Sequence, residues 1–296
     1  MRHSTCRPYE DGTCKPDMTG LEPGILDRYA ALCNRYGVRT DEEQTSLSAY
    51  LDNVRKLHAG LKAVQLENDT WRVTLLPDTN GKIVEMTYKP TGRNIVQAAR
   101  GFDRFRYEEW VRQGEGPSPE TILAYQVQAQ PNKALLTLTT PDGTRIERTI
   151  TLAGDAVRFE TVMTANAPRT FDFQIHPEYD TATASDDPKV VCVYVKAPEW
   201  VNANRGWKHA LPDEAQNALI RNAVAGGAFA YYNHKAKFGV EETFKPEEFN
   251  TLGLFWGPSR QQVNLELFPR MASLEKGQQA RFSYEVRYLD HAPVKP

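Results

Sequence analysis

The chain has 296 residues, 36 Lys plus Arg against 38 Asp plus Glu, a formal net charge of -2 and 40% hydrophobic residues. A compact fold of this size buries about three quarters of its unfolded-chain surface, so a large core is possible, and the balanced charge leaves no electrostatic footprint for a nucleic acid or a membrane surface. No window approaches the roughly 18 consecutive apolar residues of a membrane span, and the polar start Met1-Arg2-His3-Ser4 lacks the apolar stretch of a signal peptide, so a chain complete at Met1 is expected to be cytoplasmic.

Four cysteines, Cys6, Cys14, Cys33 and Cys192, are too few for a disulfide framework. Cys6 and Cys14 do not have the short spacing of a zinc knuckle, and no metal site is expected. Ile25, Leu26, Tyr29, Leu32, Cys33 and Tyr36 recur at helical spacing before Gly37, which predicts a short helix with a glycine cap. Thr40-Asp41-Glu42-Glu43 then reads as a capping box, and Leu47, Leu51, Val54, Leu57, His58 and Leu61 form the apolar face of a second helix. Residues 1–62 are therefore expected to be an N-terminal helical segment. Its apolar stripes need a partner surface, either each other and the following domain or a preceding catalytic domain or partner chain.

From about Ala63 the period changes to two. Strands are predicted at Trp71–Leu76, Lys82–Tyr88, Ile122–Gln128, Ala134–Thr139 and Arg145–Leu152, and then at Val157–Met163, Phe171–Pro177 and Val190–Val195. Further runs are Ala228–Tyr232, Phe238–Phe244, Leu252–Trp256, Val263–Phe268 and Ala280–Tyr288. Pro141-Asp142-Gly143 joins two β-rich runs as a hairpin turn. So many strands without alternating helices exclude a parallel α/β sheet and predict a mainly β fold, an antiparallel β-sandwich over residues 63–296. The chain has no Gly-rich phosphate loop, nucleophile elbow, paired-His zinc helix or calcium loop, and no cofactor is expected.

Three segments carry a family resemblance. Leu75-Leu76-Pro77-Asp78-Thr79-Asn80-Gly81-Lys82-Ile83 followed by Pro90-Thr91-Gly92-Arg93-Asn94 resembles the opening hairpin of galactose mutarotase-like proteins. His176-Pro177-Glu178-Tyr179 resembles the family's His-bearing strand. Val263-Asn264-Leu265-Glu266-Leu267-Phe268-Pro269, with Leu274-Glu275-Lys276-Gly277-Gln278 after it, resembles the closing pattern. The resemblance implies an antiparallel β-supersandwich with a carbohydrate ligand across one concave sheet. It also implies, for the aldose 1-epimerase members, a Glu that takes the proton of the anomeric hydroxyl and a His that protonates the ring oxygen. Glu266 matches the base and His176 the acid. The early motif departs from the epimerases, since Ile95–Tyr107 holds Arg100, Arg104 and Arg106 but no His. The first expectation is therefore a carbohydrate-binding domain, accessory to or part of a carbohydrate-active protein, with a sugar mutarotase as the alternative.

His176 alternates with Phe171, Phe173 and Ile175 and so lies on the polar face of its strand, as does Glu266 opposite Val263, Leu265 and Leu267. Each is either a hydrogen-bonded sheet residue or a cleft residue. Glu178 could orient His176 or cap a loop. Sugars stack their C–H faces on aromatic rings and bond their hydroxyls to polar side chains, so a cleft needs both kinds interleaved. Phe105–Trp110, Glu199–His209 and Tyr231–Lys235 have that character and read as loops. They offer Arg106, Trp200, Asn202, Arg205, Trp207 and His234 as candidate sugar contacts. Trp256 reads as core.

Overall fold

The computed structural model describes residues 7–8, 14–15 and 62–294, apart from 98–106, 113–114, 119–120, 122, 184, 186, 188, 204–223 and 258–260. The helices predicted before residue 62 lie outside these residues. The two described pieces of that region, Arg7–Pro8 and Cys14–Lys15, pair as short antiparallel strands. No helix among the described residues is long and apolar enough to cross a membrane.

From Val64 to Leu289 the regular structure of the described chain is almost wholly antiparallel sheet. Nine strands form the largest sheet, in the order Trp200–Asn202, Val191–Lys196, Ala228–Asn233, Phe238–Phe244, Gln279–Leu289, Ala156–Thr164, Arg145–Ala153, Lys133–Thr139 and Gln126–Gln130. A five-stranded sheet has Gln262–Pro269 at its centre, with Phe249–Gly257 on one side and Phe173–Pro177 and Tyr179–Asp180 on the other, and Tyr107–Val111 pairs beyond Phe173–Pro177. Val64–Glu67, Trp71–Leu76, Lys82–Tyr88 and Arg93–Asn94 make a four-stranded sheet. One apolar core takes side chains from all three sheets.

The period-two pattern sets this up. In Arg145–Ala153, Ile146, Arg148, Ile150 and Leu152 are buried while the intervening residues are partly or fully exposed. Turn chemistry fixes the register. Asn80 and Gly81 both adopt positive φ, 59° and 63°, and Lys82 N–H bonds Thr79 C=O at 3.0 Å, which makes the type I′ reversal that Asn-Gly favours. Gly143, at φ 84°, closes the predicted Pro141-Asp142-Gly143 hairpin, with Arg145 opposite Thr139.

The stretches Glu199–His209 and Tyr231–Lys235, read as loops, hold the strand Trp200–Asn202 and the end of the strand Ala228–Asn233, and two further expectations are corrected. The run Phe171–Pro177 is two strands: Arg169–Phe171 pairs with Ala272–Leu274, while Phe173–Pro177 enters the five-stranded sheet. The break falls at Asp172, whose carbonyl accepts the Arg112 N–H at 2.7 Å and whose carboxylate lies 3.4 Å from the Arg112 guanidinium. The stretch Phe105–Trp110, read as a loop, supplies the strand Tyr107–Val111. All five of its residues are buried. On the core side, Glu109 meets Arg148 from the large sheet at 3.0 Å, accepts from Thr161 Oγ1 at 2.6 Å and from Tyr284 Oη at 3.1 Å. Around that ion pair the Tyr107, Phe159 and Tyr284 rings stack, 5.3 Å and 4.7 Å between successive centroids.

Candidate functional site

The five-stranded sheet turns one face to the core and the other outward, and alternation sorts its side chains between them. Across the pairing of Tyr107–Val111 with Phe173–Pro177, Glu108 lies opposite His176 and Trp110 opposite Gln174. All four share the outward face, while Ile175 and Glu109 point to the core. Ile175 opposite Leu267 carries the same parity to the next strand, placing Gln262, Asn264 and Glu266 on the outward face. Beyond it, Phe255 sits opposite Asn264 and Gly253 opposite Glu266. The result is a polar floor in which acid, base and amide groups from three strands are neighbours.

His176 and Glu266 meet there, with Nε2 3.2 Å from Oε1. Gln174 Nε2 donates to Glu266 Oε2 at 2.9 Å, so each carboxylate oxygen has a fixed direction. Asn264 Nδ2 lies 3.1 Å from His176 Nε2 and donates to Glu266 Oε1 at 3.4 Å, and Gln262 Nε2 donates to Asn264 Oδ1 at 2.8 Å. The Trp110 indole stacks on the imidazole, 4.3 Å between centroids at 19°. The indole is held in turn, since its Nε1–H donates to Glu108 Oε2 at 2.8 Å, while Glu108 Oε1 lies 3.5 Å from Lys82 Nζ. His176 is 9% exposed and Asn264 2%, whereas Phe255 on the adjoining strand is 41% exposed. The floor thus combines a fixed acid/base pair with an accessible aromatic ring.

Glu266 has room because the position facing it is a glycine. A Cβ built on Gly253 would lie 2.9 Å from Phe268 Cε2 and 3.3 Å from Glu266 Oε2. On the core side, Glu242 from the large sheet is fully buried and accepts the Tyr179 hydroxyl at 2.6 Å. Burial pushes its carboxyl well above the usual carboxylate range; the Tyr179 hydrogen bond opposes this and the charge of Glu266 adds to it.

Of the sequence-predicted residues, the structure brings together His176 and Glu266. Glu178 is buried at the junction of Phe173–Pro177 and Tyr179–Asp180, where its carbonyl accepts Gln97 N–H at 2.7 Å. Trp200, Asn202 and His234 gather elsewhere, at one edge of the nine-stranded sheet. There Trp200 packs against Cys192, Tyr194, Ala230 and Tyr232, Asn202 Nδ2 approaches Cys192 Sγ at 3.5 Å, and His234 Nε2 lies 3.1 Å from Tyr194 Oη. Arg106, Arg205 and Trp207 lie outside the described residues. No cluster of His, Cys, Asp or Glu suited to a metal ion occurs among the described residues.

Sequence reasoning missed Glu108, Trp110, Gln174, Gln262, Asn264 and Phe255. The parity that puts Asn264 beside Glu266 was available from the sequence; the strand carrying Glu108 and Trp110 was not, since Glu-Glu-Trp does not alternate in polarity.

No protein-family model and no curated protein matches the chain. Solved structures do match in fold. A galactose mutarotase-like protein from Lactobacillus casei aligns at TM-score 0.55 with 9% identity, over 76% of this chain and 99% of its own. An aldose epimerase homologue from C. elegans aligns at 0.55 with 11% identity, over 78% and 100%. A TPR-domain-containing protein from Parabacteroides distasonis aligns at 0.54 with 13% identity over 78% of this chain, and this chain spans 48% of that longer protein. Identities this low speak to architecture: the chain has the galactose mutarotase-like fold.

Proposed function

We propose, starting from a chain folded as galactose mutarotase-like proteins are, that the outward face of the five-stranded sheet binds the ring form of an aldose and that Glu266 and His176 open and close that ring. The observation that carries this is the 3.2 Å contact between His176 Nε2 and Glu266 Oε1 on a face that also presents an exposed aromatic ring. In a cyclic hemiacetal the anomeric hydroxyl and the ring oxygen share one carbon, so a base for the first and an acid for the second must themselves be neighbours. Glu266 takes the hydroxyl proton, His176 Nε2–H protonates the ring oxygen, the carbon–oxygen ring bond breaks and an aldehyde forms. Rotation of the aldehyde and return of both protons closes the ring on its other face. Gln174 and Asn264 hold the carboxylate in place, Trp110 fixes the imidazole plane, and Phe255 offers an apolar surface for the C–H face of the sugar. No step calls for a cofactor.

The test is the rate of α/β interconversion of common aldoses, followed by polarimetry or NMR. The chain is expected to accelerate it, and Glu266→Gln to lose about a hundredfold or more of that acceleration.

A second reading has its own support. Because the fold of the Parabacteroides distasonis protein makes up about half of a longer chain, 48% of it, the same architecture serves as one part of a larger protein. On that reading the chain recognises carbohydrate without turnover, alongside a catalytic domain or partner chain. Saturable sugar binding with interconversion rates equal to those in buffer would select it.

A further inference from the structure

We infer that Asn264 is a positioning residue that selects the proton state of His176 and thereby stabilises the ring-opened intermediate; this rests on the acid/base reading of the cleft. His176 Nε2 has two partners that make opposite demands. The Glu266 carboxylate, 3.2 Å away, can only accept, so it favours an Nε2 that bears hydrogen. The Asn264 Nδ2 group, 3.1 Å away, can only donate, so it favours a bare Nε2 lone pair. The amide cannot turn to relieve the conflict, because Gln262 Nε2 donates to Asn264 Oδ1 at 2.8 Å and keeps the NH₂ side toward the imidazole. Asn264 is 2% exposed and Gln262 5%, so solvent does not substitute for either bond.

These two demands match the two states of the proposed reaction. The ring opens from the state in which His176 is an imidazolium, with a proton on each ring nitrogen, and Glu266 is a carboxylate, the two bonded through Nε2–H and Oε1. Ring opening moves the Nε2 proton to the ring oxygen and the hydroxyl proton to Glu266. The new Glu266 proton stays directed at the substrate oxygen it came from, to which it must return, and the bare Nε2 lone pair accepts from Asn264. The amide interaction therefore strengthens as the ring opens, which is the condition for a group to raise kcat rather than merely to tighten binding. The proton count is unchanged throughout, since each proton that leaves one group arrives at the other.

Asn264→Asp keeps the size of the side chain and exchanges the donor for an acceptor. In mutarotation assays it is expected to lower kcat about tenfold or more while KM stays within about twofold, the pattern of a bond made after the ground state. Gln262→Leu, which leaves Asn264 in place but frees its amide to turn, is expected to move kcat in the same direction by a smaller factor. Histidine ring nitrogen NMR on the ¹⁵N-labelled chain supplies a readout that needs no turnover: the Nε2 signal of His176 moves toward the protonated position in Asn264→Asp at constant pH. Variants confirmed as folded by their thermal transitions that keep parental kcat, lose activity through KM alone or leave the His176 nitrogen signals in place overturn the inference. A parental chain inert toward aldoses sinks the epimerase reading on its own, and the nitrogen signals then still decide whether Asn264 governs the imidazole.

Discussion

At position 242 a carboxyl group is fully buried on the core side of the nine-stranded sheet. Its bond to the Tyr179 hydroxyl satisfies Oε1, while Oε2 has no hydrogen-bond partner. Desolvation therefore holds the group in its neutral form in the folded state, while the unfolded chain ionises it near 4.5. Between those two values the folded state keeps a proton that the unfolded state has released, so stability falls as pH rises. Glu242→Gln preserves the acceptor for Tyr179 and removes the titration. The variant is expected to melt higher than the parent at pH 8 and to show a smaller difference at pH 5, as read by thermal unfolding across that range. An equal gap at both pH values would place the ionisation of Glu242 elsewhere. Glu242 gave no signal in the sequence, since Glu241-Glu242 on a strand reads as a solvated pair; its burial is a property of the facing sheet. For His176 and Glu266 the alternation showed only that each lies on the polar side of a strand whose other side is apolar, and the family resemblance is what paired them. Asn264 shared that face, but an amide has no titration to draw attention to it.

A strand presents every second residue to one face, and Phe249–Gly257 does this with an uneven set. Toward the outward face it offers Thr251, Gly253 and Phe255, so its exposed ring lies two residues from a position without a side chain. Gly253 decides how Glu266 stands. A valine there would bring its Cβ within 2.9 Å of Phe268 and its branches against the Glu266 carboxylate. Phe268 can swing aside, so Gly253→Val is expected to fold, while its mutarotation rate falls by about tenfold or more from the displaced base. Crystallography or NMR of the variant should show Glu266 Oε1 drawn off His176. Wild-type rates in a folded Gly253→Val chain would mean that the carboxylate does not need its present place. The opposite case is Tyr107–Val111, the strand that polarity patterning missed. Alternation marks a strand only where one face is apolar, and here both faces take a carboxylate because Arg148 receives Glu109 inside and Lys82 lies beside Glu108 outside. Phe171–Pro177 failed differently: its pattern runs on smoothly through Asp172, and the break comes from Arg112, a residue far off in sequence.

Across the whole molecule, the Glu109–Arg148 pair ties the five-stranded sheet to the nine-stranded one. Arg148 is 1% exposed and also donates from Nη1 to Gly81 C=O at 3.3 Å, at the turn of the third sheet, so one guanidinium touches all three layers. Removing one partner of such a pair strands a buried charge. Arg148→Met is therefore expected to cost about 3–5 kcal/mol of unfolding free energy, and adding Glu109→Leu to recover most of it, as measured by denaturant titration. Two additive losses would show that the charges do not depend on each other. At this scale the class of fold was plain in the sequence, because thirteen runs of period two without intervening helices have few packing solutions. The order of the strands was not. Gln279–Leu289 lies between Phe238–Phe244 and Ala156–Thr164, and stands more than a hundred residues from the second of them, a pairing that no local pattern encodes.

Glu108 and Glu109 carry one further consequence. Sliding Tyr107–Val111 by a single residue along Phe173–Pro177 would exchange them, sending Glu108 to Arg148 and Glu109 toward Lys82, with charge matched as before. Coulomb attraction is thus indifferent between the two alignments. What breaks the tie is bulk and shape: Tyr107 must leave its stack on Phe159, and the indole of Trp110 must vacate the imidazole and enter a core already filled. The aromatic rings at positions 107 and 110 act as a key that admits one alignment, and the His176–Glu266 pair inherits its geometry from them.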